Sequence, residues 1–338
     1  MLDIINEIDK RVATGQEFAL ATVTATWRSA PRGVGASMII DPGGKMVGSV
    51  SGGCVEGQVV TTALELLRTG RLQQMKFGVS NDEAWSVGLS CGGAISVYVQ
   101  PFFNQTDYGR EVWFSLRKCQ KNDVGAVLIY GNDKPGFFSA DNRLGKLPDA
   151  VFVQAGEQLS LKKSQLITVE NAEYFFHVFP PKDHLLIIGA AHISRDLITL
   201  AKWQGFKITV IDPRGLFYDS LKDLVGNESL FRGWPADLLK DIKLNDSVFA
   251  VLLTHDPKID DQALELLLPS DVAYIGALGS RKTQQKRVAR LLAMGHSQDQ
   301  IDRIKGPVGL DIGAGTASEI ALSIMAEIIK EKNKESID

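Results

Sequence analysis

A chain of 338 residues is longer than one hydrophobic core usually serves, which points to two domains. With 44% apolar and 23% charged residues the composition is that of an ordinary globular protein, and a formal charge of −3 gives no basis for nucleic-acid binding. Three cysteines without a CxxC pair exclude a disulfide framework, and no apolar run approaches the roughly 18 residues of a membrane span.

The N-terminal stretch MLDIINEIDKRVATG is acidic and amphipathic and has no cleavable apolar core, so a cytoplasmic chain without a signal peptide is expected. Its apolar positions Ile4, Ile5, Ile8 and Val12 predict a helix that stops at Gly15. FALATVTAT reads as a strand and runs into the loop WRSAPRGVGAS. SMII and KMVGSV flank the turn DPGG and predict a hairpin. GSVSGGCVEG, residues 48–57, then leads into a helix closed by Gly70. RLQQMKF and AISVYVQP supply two more strands, with LSCGG between them. From Phe102 to Pro181 a helix, EVWFSLRKCQ, and two strands, VGAVLIYG and EYFFHVFPP, stand among polar, turn-rich residues and predict a small α+β continuation. FPPKDH at 179–184 marks a boundary, because successive prolines stiffen a linker and break pairing. The expected domains are therefore 1–181, with a core of about 1–101 and an extension over 102–181, and 182–338. No internal repeat is evident.

The second part alternates buried-type strands (HLLIIGA, FKITVIDPR, SVFAVLLTHD, VAYIGALGS) with helices of 10–15 residues, the pattern of a doubly wound parallel sheet. The fold class is thus α/β, an N-terminal α+β domain followed by a Rossmann-like domain. LLIIGAAHIS, with VIDPR about 20 residues later, has the geometry of a dinucleotide-binding first turn, where Gly189 allows the tight turn and Asp212 ends the second strand beside a ribose. The glycine fingerprint is broken at Ala191, whose Cβ pushes a pyrophosphate outward, and at Ser194, which is better tolerated. His192 is unusual for a plain NAD(P) binder. Gly276, Gly279, Ser280 and Arg281 open a second helix, and Gly313, Gly315, Thr316 and Glu319 a third with a T-x-x-E capping box. His255 and Asp256 of THDP fall at a fourth strand end. Together these predict a cleft for a phosphate-bearing ligand, against the plainer reading that Gly189 and Asp212 only shape a βαβ unit. SRKTQQKRVAR at 280–290 reads as a solvated helix face or an anion-binding edge.

Cys54 lies between Gly52, Gly53 and a helix start, where the helix dipole favours a thiolate, with Arg28 or Arg32 as a nearby charge and Glu56 opposing ionisation or accepting a proton. Cys91 in SCGG is a second candidate, and Cys119 reads as structural. Cys54 is then a small residue at a crowded turn, or a soft ligand or sulfur carrier for a metal or thiol-reactive group. The five histidines have no partner at i+3 to i+5, so no zinc site is expected.

SAPRGVGASM, GSVSGGCVEG and LSCGG in the first domain, and LLIIGAAHIS, VIDPR, THDP, YIGALGSRKT and GPVGLDIGAGTASEIALSIMAEII in the second, resemble the XdhC/CoxI family. The resemblance implies a cytoplasmic accessory protein, often a homodimer, that binds molybdenum cofactor (molybdopterin) and delivers it to a molybdenum hydroxylase apoenzyme of the xanthine dehydrogenase type. Charge and hydropathy, independently of the resemblance, give no reason to expect a nucleic-acid or membrane partner. A phosphate cleft in one domain and a thiol in the other would suit the two ends of that cofactor. The chain departs from the family pattern at Arg28, where a glycine is usual, and at Ala191, which replaces the middle glycine of G-A-G-H. The chain has no iron–sulfur cysteine set and no flavin domain. The alternatives are an NAD(P)-dependent oxidoreductase with His192 or His255 as proton donor, disfavoured by the broken glycine loop, and a sulfur carrier through a Cys54 persulfide, which needs an external cysteine desulfurase.

Overall fold

The computed structural model of the chain describes residues 1–78, 93–131, 135–215, 217–226 and 229–334, and the chain divides into two compact units, Met1–Pro181 and Lys182–Asp338. The first unit begins with helix α1 (Ile5–Ala13), followed by β1 (Ala19–Trp27), β2 (Ser37–Ile40), β3 (Met46–Gly48), α2 (Glu56–Thr69), β4 (Gln73–Phe77) and β5 (Ala94–Pro101). Asp41 accepts hydrogen bonds from the amides of Gly43 and Lys45, both at 2.9 Å, and so closes the β2–β3 hairpin. Gly70, at φ +69°, caps α2 in the left-handed conformation. The strands form an antiparallel sheet in the order β3-β2-β1-β5-β4.

That sheet is apolar on both faces because both are covered. Ala19, Ala21, Val23, Val97 and Val99 pack under Val59, Ala63 and Leu66 of α2. Leu20, Ile39 and Tyr98 face the other way, into a cluster with Ile8 of α1 and Trp113. The rest of that cluster comes from the second half of the unit: α3 (Asp107–Lys121), β6 (Ala126–Tyr130), β7 (Gly136–Ser139), β8 (Arg143–Leu144), α4 (Asp149–Ser160), β9 (Gln165–Val169) and β10 (Ala172–Phe179). The sequence pattern predicts only α3, β6 and β10 of these elements. The strands form a second antiparallel sheet in the order β8-β7-β6-β10-β9. Numbered within each half, both sheets run 3-2-1-5-4, each half opens with a helix, and each places a helix between its third and fourth strands. The unit is a structural duplication that no repeat of residues betrays.

The second unit contains β11 (His184–Ile188), α5 (His192–Trp203), β12 (Lys207–Ile211), α6 (Tyr218–Val225), β13 (Leu230–Phe231), α7 (Pro235–Leu238), β14 (Val248–Leu252), α8 (Pro257–Leu267), β15 (Tyr274–Ala277), α9 (Arg281–Ala293), α10 (Gln298–Asp302), β16 (Ile304–Lys305) and α11 (Ala317–Lys332). Its strands are parallel and ordered β13-β12-β11-β14-β15-β16. That is 3-2-1-4-5-6, the dinucleotide-fold order, with the reversal between β11 and β14. Leu185 and Ile187 point into a cluster with α5 and α11, and Leu186 and Ile188 into one with α8 and α9. The short elements α6, β13, α7, α10 and β16 lie outside the sequence expectation. No helix among the described residues is long and apolar enough to cross a membrane.

One contact ties the SAPRGVGA loop to the second half of the first unit. Gly35, at φ +85°, lies against the His177 ring, and a Cβ there would sit 2.8 Å from Nε2. His177 packs between Phe179 (4.4 Å between ring centres) and Phe175 (5.5 Å), and its Nδ1 is buried without a hydrogen-bond partner. Burial holds this imidazole well below the ordinary 6.5. The unfolded chain therefore takes up a proton near pH 6.5 that the folded chain refuses, and stability is lost as pH falls through that value. The expected slope is up to about 1.4 kcal/mol per pH unit. His177→Leu should flatten it in denaturant titrations between about pH 7 and pH 5.

Candidate functional site

The cysteine loop between β3 and α2 is built around a buried carboxylate. Glu56, the first residue of α2, is 5% exposed. Its Oε1 accepts from Ser49 Oγ (2.6 Å), Val50 N (3.2 Å) and Ser51 N (2.9 Å). Its Oε2 accepts from Ser51 Oγ (2.5 Å), Gly53 N (3.0 Å) and Val55 N (3.1 Å). The two amides left over turn to hydroxyls: Gly52 N donates to Ser49 Oγ (2.8 Å) and Cys54 N to Ser51 Oγ (3.0 Å). All six consecutive amides from Val50 to Val55 are thus directed into the loop. Burial alone would push the Glu56 carboxyl up, but the hydroxyls and amides outweigh it and hold it down to about 2.

This arrangement requires glycine at 52 and 53, whose φ values are +81° and +120°. A Cβ at Gly53 would meet open space, whereas one at Gly52 would lie 3.7 Å from Pro31. The SAPRGVGA loop therefore borders the cysteine loop. The guanidinium of its Arg32 pairs with Asp3, while its Nε is buried without a partner among the described residues. Arg28, at φ +56°, stacks its guanidinium 4.1 Å from the centre of the Trp27 ring. The left-handed backbone explains why glycine suits position 28. Cys54 is half-buried and packs against the cluster under α2. The thiol sits one residue ahead of the α2 N-cap, Val55, and the loop amides serve Glu56 rather than sulfur. Cys91 lies outside the described residues.

In the second unit, the loops after β11, β12, β14, β15 and β16 are chained together at the carboxyl edge of the sheet. Gly189, at φ +105°, passes so close to the end of β14 that a Cβ would sit 2.7 Å from Thr254 Cγ2. Asp212 accepts from Ala190 N (2.7 Å) and Arg214 N (2.8 Å), and Arg214 clamps both of its oxygens at 3.1 and 2.8 Å. The four positions around this carboxylate are filled by protein donors, which leaves none for a ribose. Burial would raise the Asp212 carboxyl, yet the Arg214 contacts hold it below the usual carboxylate range. Ser194, which replaces the third fingerprint glycine, accepts from Ala191 N (3.0 Å) and donates to Gly189 O (2.8 Å). The crook of the first turn is closed by the protein itself.

A second buried polar chain escaped the sequence pattern. Thr254 Oγ1 donates to Asp260 (2.5 Å), which pairs with Arg287 at 3.2 Å. Arg287 also donates to Leu278 O (2.9 Å) and to Gln284 (2.6 Å), whose side chain lies against Gly306. Arg287 is 2% exposed although it belongs to SRKTQQKRVAR, most of which is solvated as expected. Burial outweighs these partners at Asp260 and pushes its carboxyl above the ordinary value. The network welds the THDP loop to the start of α9.

The helix starts differ in what they still offer an anion. At α11 Thr316 accepts from Glu319 N (3.3 Å), and the Glu319 carboxylate accepts from Gly315 N and Thr316 N, both at 2.9 Å. These amides hold the Glu319 carboxyl low. The predicted capping box is present, and it fills this helix start with the chain's own anion. Asp256 does the same at α8, accepting from Lys258 N (2.9 Å). At α9 only the neutral Ser280 caps, accepting from Thr283 N (3.2 Å) behind Gly279 at φ +142°. The first-turn amides of Arg281 and Lys282 have no acceptor within the helix, and the Arg281 side chain is exposed. His192, exposed at the start of α5, packs edge-on against Phe217 (5.0 Å between ring centres), while His255 is exposed. Uncompensated anion-binding capacity is therefore clearest at α9.

Two stability measurements test these networks. The Glu56 carboxyl lies below its ordinary 4.5, so its contribution is complete above that value and lost as pH falls toward about 2. Glu56→Gln should lower the unfolding free energy at neutral pH by on the order of 3 kcal/mol, and the deficit should vanish near pH 2. Arg287→Met should cost about 3 kcal/mol by leaving Asp260 buried and unpaired, and the double variant Asp260→Leu with Arg287→Met should recover most of that loss in denaturant titrations.

The profile of the XdhC Rossmann domain matches residues 185–328, and that of the XdhC and CoxI family matches residues 11–78. A protein of Bacillus subtilis described as a probable xanthine dehydrogenase subunit is 28% identical over 98% of each chain. The molybdenum cofactor insertion chaperone PaoD of Escherichia coli is 27% identical over 93% of this chain and 83% of its own length. A crystal structure described as a xanthine dehydrogenase from Bacillus halodurans superposes with a TM-score of 0.75 at 26% identity, covering 98% of this chain and 96% of that one. The matches fall in both units and the relatives align over nearly the whole length, and the chain belongs to the XdhC and CoxI family.

Proposed function

We propose that this protein binds molybdenum cofactor as cargo and hands it to the apoenzyme of a molybdenum hydroxylase of the xanthine dehydrogenase type. The similarity to a molybdenum cofactor insertion chaperone supports a maturation role. The observation that carries the reading is the cysteine loop, where six inward-turned amides and two positive-φ glycines hold the half-buried Cys54 in a preformed turn. A thiol is a soft ligand and suits the sulfur-rich metal end of the cofactor. As a separate feature of the second unit, the start of α9 with Ser280 and Arg281 would suit an anion, and His192 stands exposed at the start of α5. The protein would act as a cytoplasmic homodimer.

An NAD(P)-dependent oxidoreductase is the weaker reading, since Ser194 closes the first turn and Arg214 fills the Asp212 carboxylate that would hold the ribose. A sulfur carrier charged by a cysteine desulfurase would use the same thiol and differs by leaving a cyanide-labile sulfur on Cys54.

Purified protein, oxidised to release any bound pterin, should yield pterin fluorescence in near-stoichiometric amount. Cys54→Ser should reduce the yield about tenfold or more at unchanged Tm. Retention unaffected by Cys54→Ser and by Cys91→Ser would remove the thiol from the reading.

A further inference from the structure

We propose that Glu56 is a positioning residue for Cys54, holding the thiol in a preformed loop and making that loop selective against anionic groups. This deepens the reading in which Cys54 meets the metal end of the cargo. A loop rich in glycine and serine ahead of a helix is normally an anion cradle, because its amides point outward at the ligand. Here the cradle is turned inside out. The amides that would greet an external phosphate are spent, in unbroken sequence from residue 50 to residue 55, on the Glu56 carboxylate and on two hydroxyls that are themselves bonded to it.

Two consequences follow for Cys54. Glu56 Oε2 bonds the amides of Gly53 and Val55, the residues on either side of the cysteine, and Ser51 Oγ bonds both Cys54 N and Glu56. The backbone that carries the sulfur is therefore pinned at three successive residues before any ligand arrives, which reduces the ordering cost of binding. All of the donors on Glu56 are neutral, so its negative charge remains at the centre of the loop. A group approaching the sulfur meets spent donors and a fixed anion. Phosphate or carboxylate is disfavoured there, and an electron-poor metal centre is not. Selectivity of this kind would keep free phosphate and carboxylate from occupying the loop.

Alkylation of the full-length chain without cofactor tests this, with peptide-resolved yields for Cys54 and with Cys119, half-buried on α3 in the same unit, as internal reference. Neutral iodoacetamide and anionic iodoacetate are compared. Ser49→Ala, which removes the 2.6 Å hydroxyl bond but keeps the charge, should speed both reagents at Cys54 about threefold and leave Cys119 unchanged. Glu56→Gln should speed Cys54 further and raise the iodoacetate-to-iodoacetamide ratio there about threefold, again without change at Cys119. Equal acceleration of the two cysteines would mean that Glu56 merely stabilises the unit, and an unchanged reagent ratio in folded Glu56→Gln would remove the charge selectivity. Where Glu56→Gln fails to fold, Ser49→Ala decides alone, and unaltered Cys54 reactivity in it overturns the proposal. Because no cofactor is present, these results stand apart from the pterin measurement. Thiol reactivity that depends on Glu56 while pterin retention ignores Cys54 would refute the cargo reading and leave the positioning role in place.

Discussion

A strand that is apolar on both faces must be covered twice, and this requirement organises both units. In β1 the odd positions Ala19, Ala21 and Val23 are sealed by α2, while Leu20 on the even side needs a second cover. That cover is the second sheet with α3, and it turns two modest halves into one body with a shared core. In β11 the same demand recruits α5 and α11 on one side and α8 and α9 on the other. With the strands fixed in this way, their ends and the loops that leave them become rigid platforms.

On these platforms the chain repeatedly satisfies exposed backbone donors with its own side chains. Glu56 takes the cysteine-loop amides, Asp212 and Ser194 those of the first βα turn, and Glu319 those ahead of α11. A helix start occupied by an internal carboxylate is poor at binding an external anion, whereas one capped by a hydroxyl keeps its dipole available. The contrast between α11 and α9 comes from this difference alone, although both begin with a glycine and a hydroxyl residue in the sequence.

The parallel sheet and its helices were legible in the sequence because continuous apolar strands alternating with amphipathic helices have few other solutions. The hairpin at DPGG, the Gly70 cap and the T-x-x-E box were equally legible, since each rests on local chemistry. The second half of the first unit was not. Its strands β7 and β8 are two to four residues long, and its β9–β10 turn places the non-glycines Glu170 and Asn171 at positive φ, which conceals a tight hairpin from any glycine count. At the sites, Cys54 and its glycines stood out, but the part Glu56 plays depends on six contacts that no spacing rule encodes. Arg287 was hidden for the opposite reason, as one cation among five in a solvated helix whose single buried turn is set by packing.

The repeated 3-2-1-5-4 topology of the first unit carries a consequence for how such a protein can change. Its two halves occupy equivalent architectural positions and have very unequal loops. In one half, seven residues, Ser49 to Val55, separate the third strand from the following helix and form the cysteine loop; the matching connection after β8 is four residues, Gly145 to Pro148. One half is ornamented and the other is plain. The plain half supplies the aromatic wall of Phe175, His177 and Phe179 on which Gly35 rests, so it works as a keel for its elaborated twin. The ornamented loops can then change in length and residue type while the keel holds the shared core of the pair.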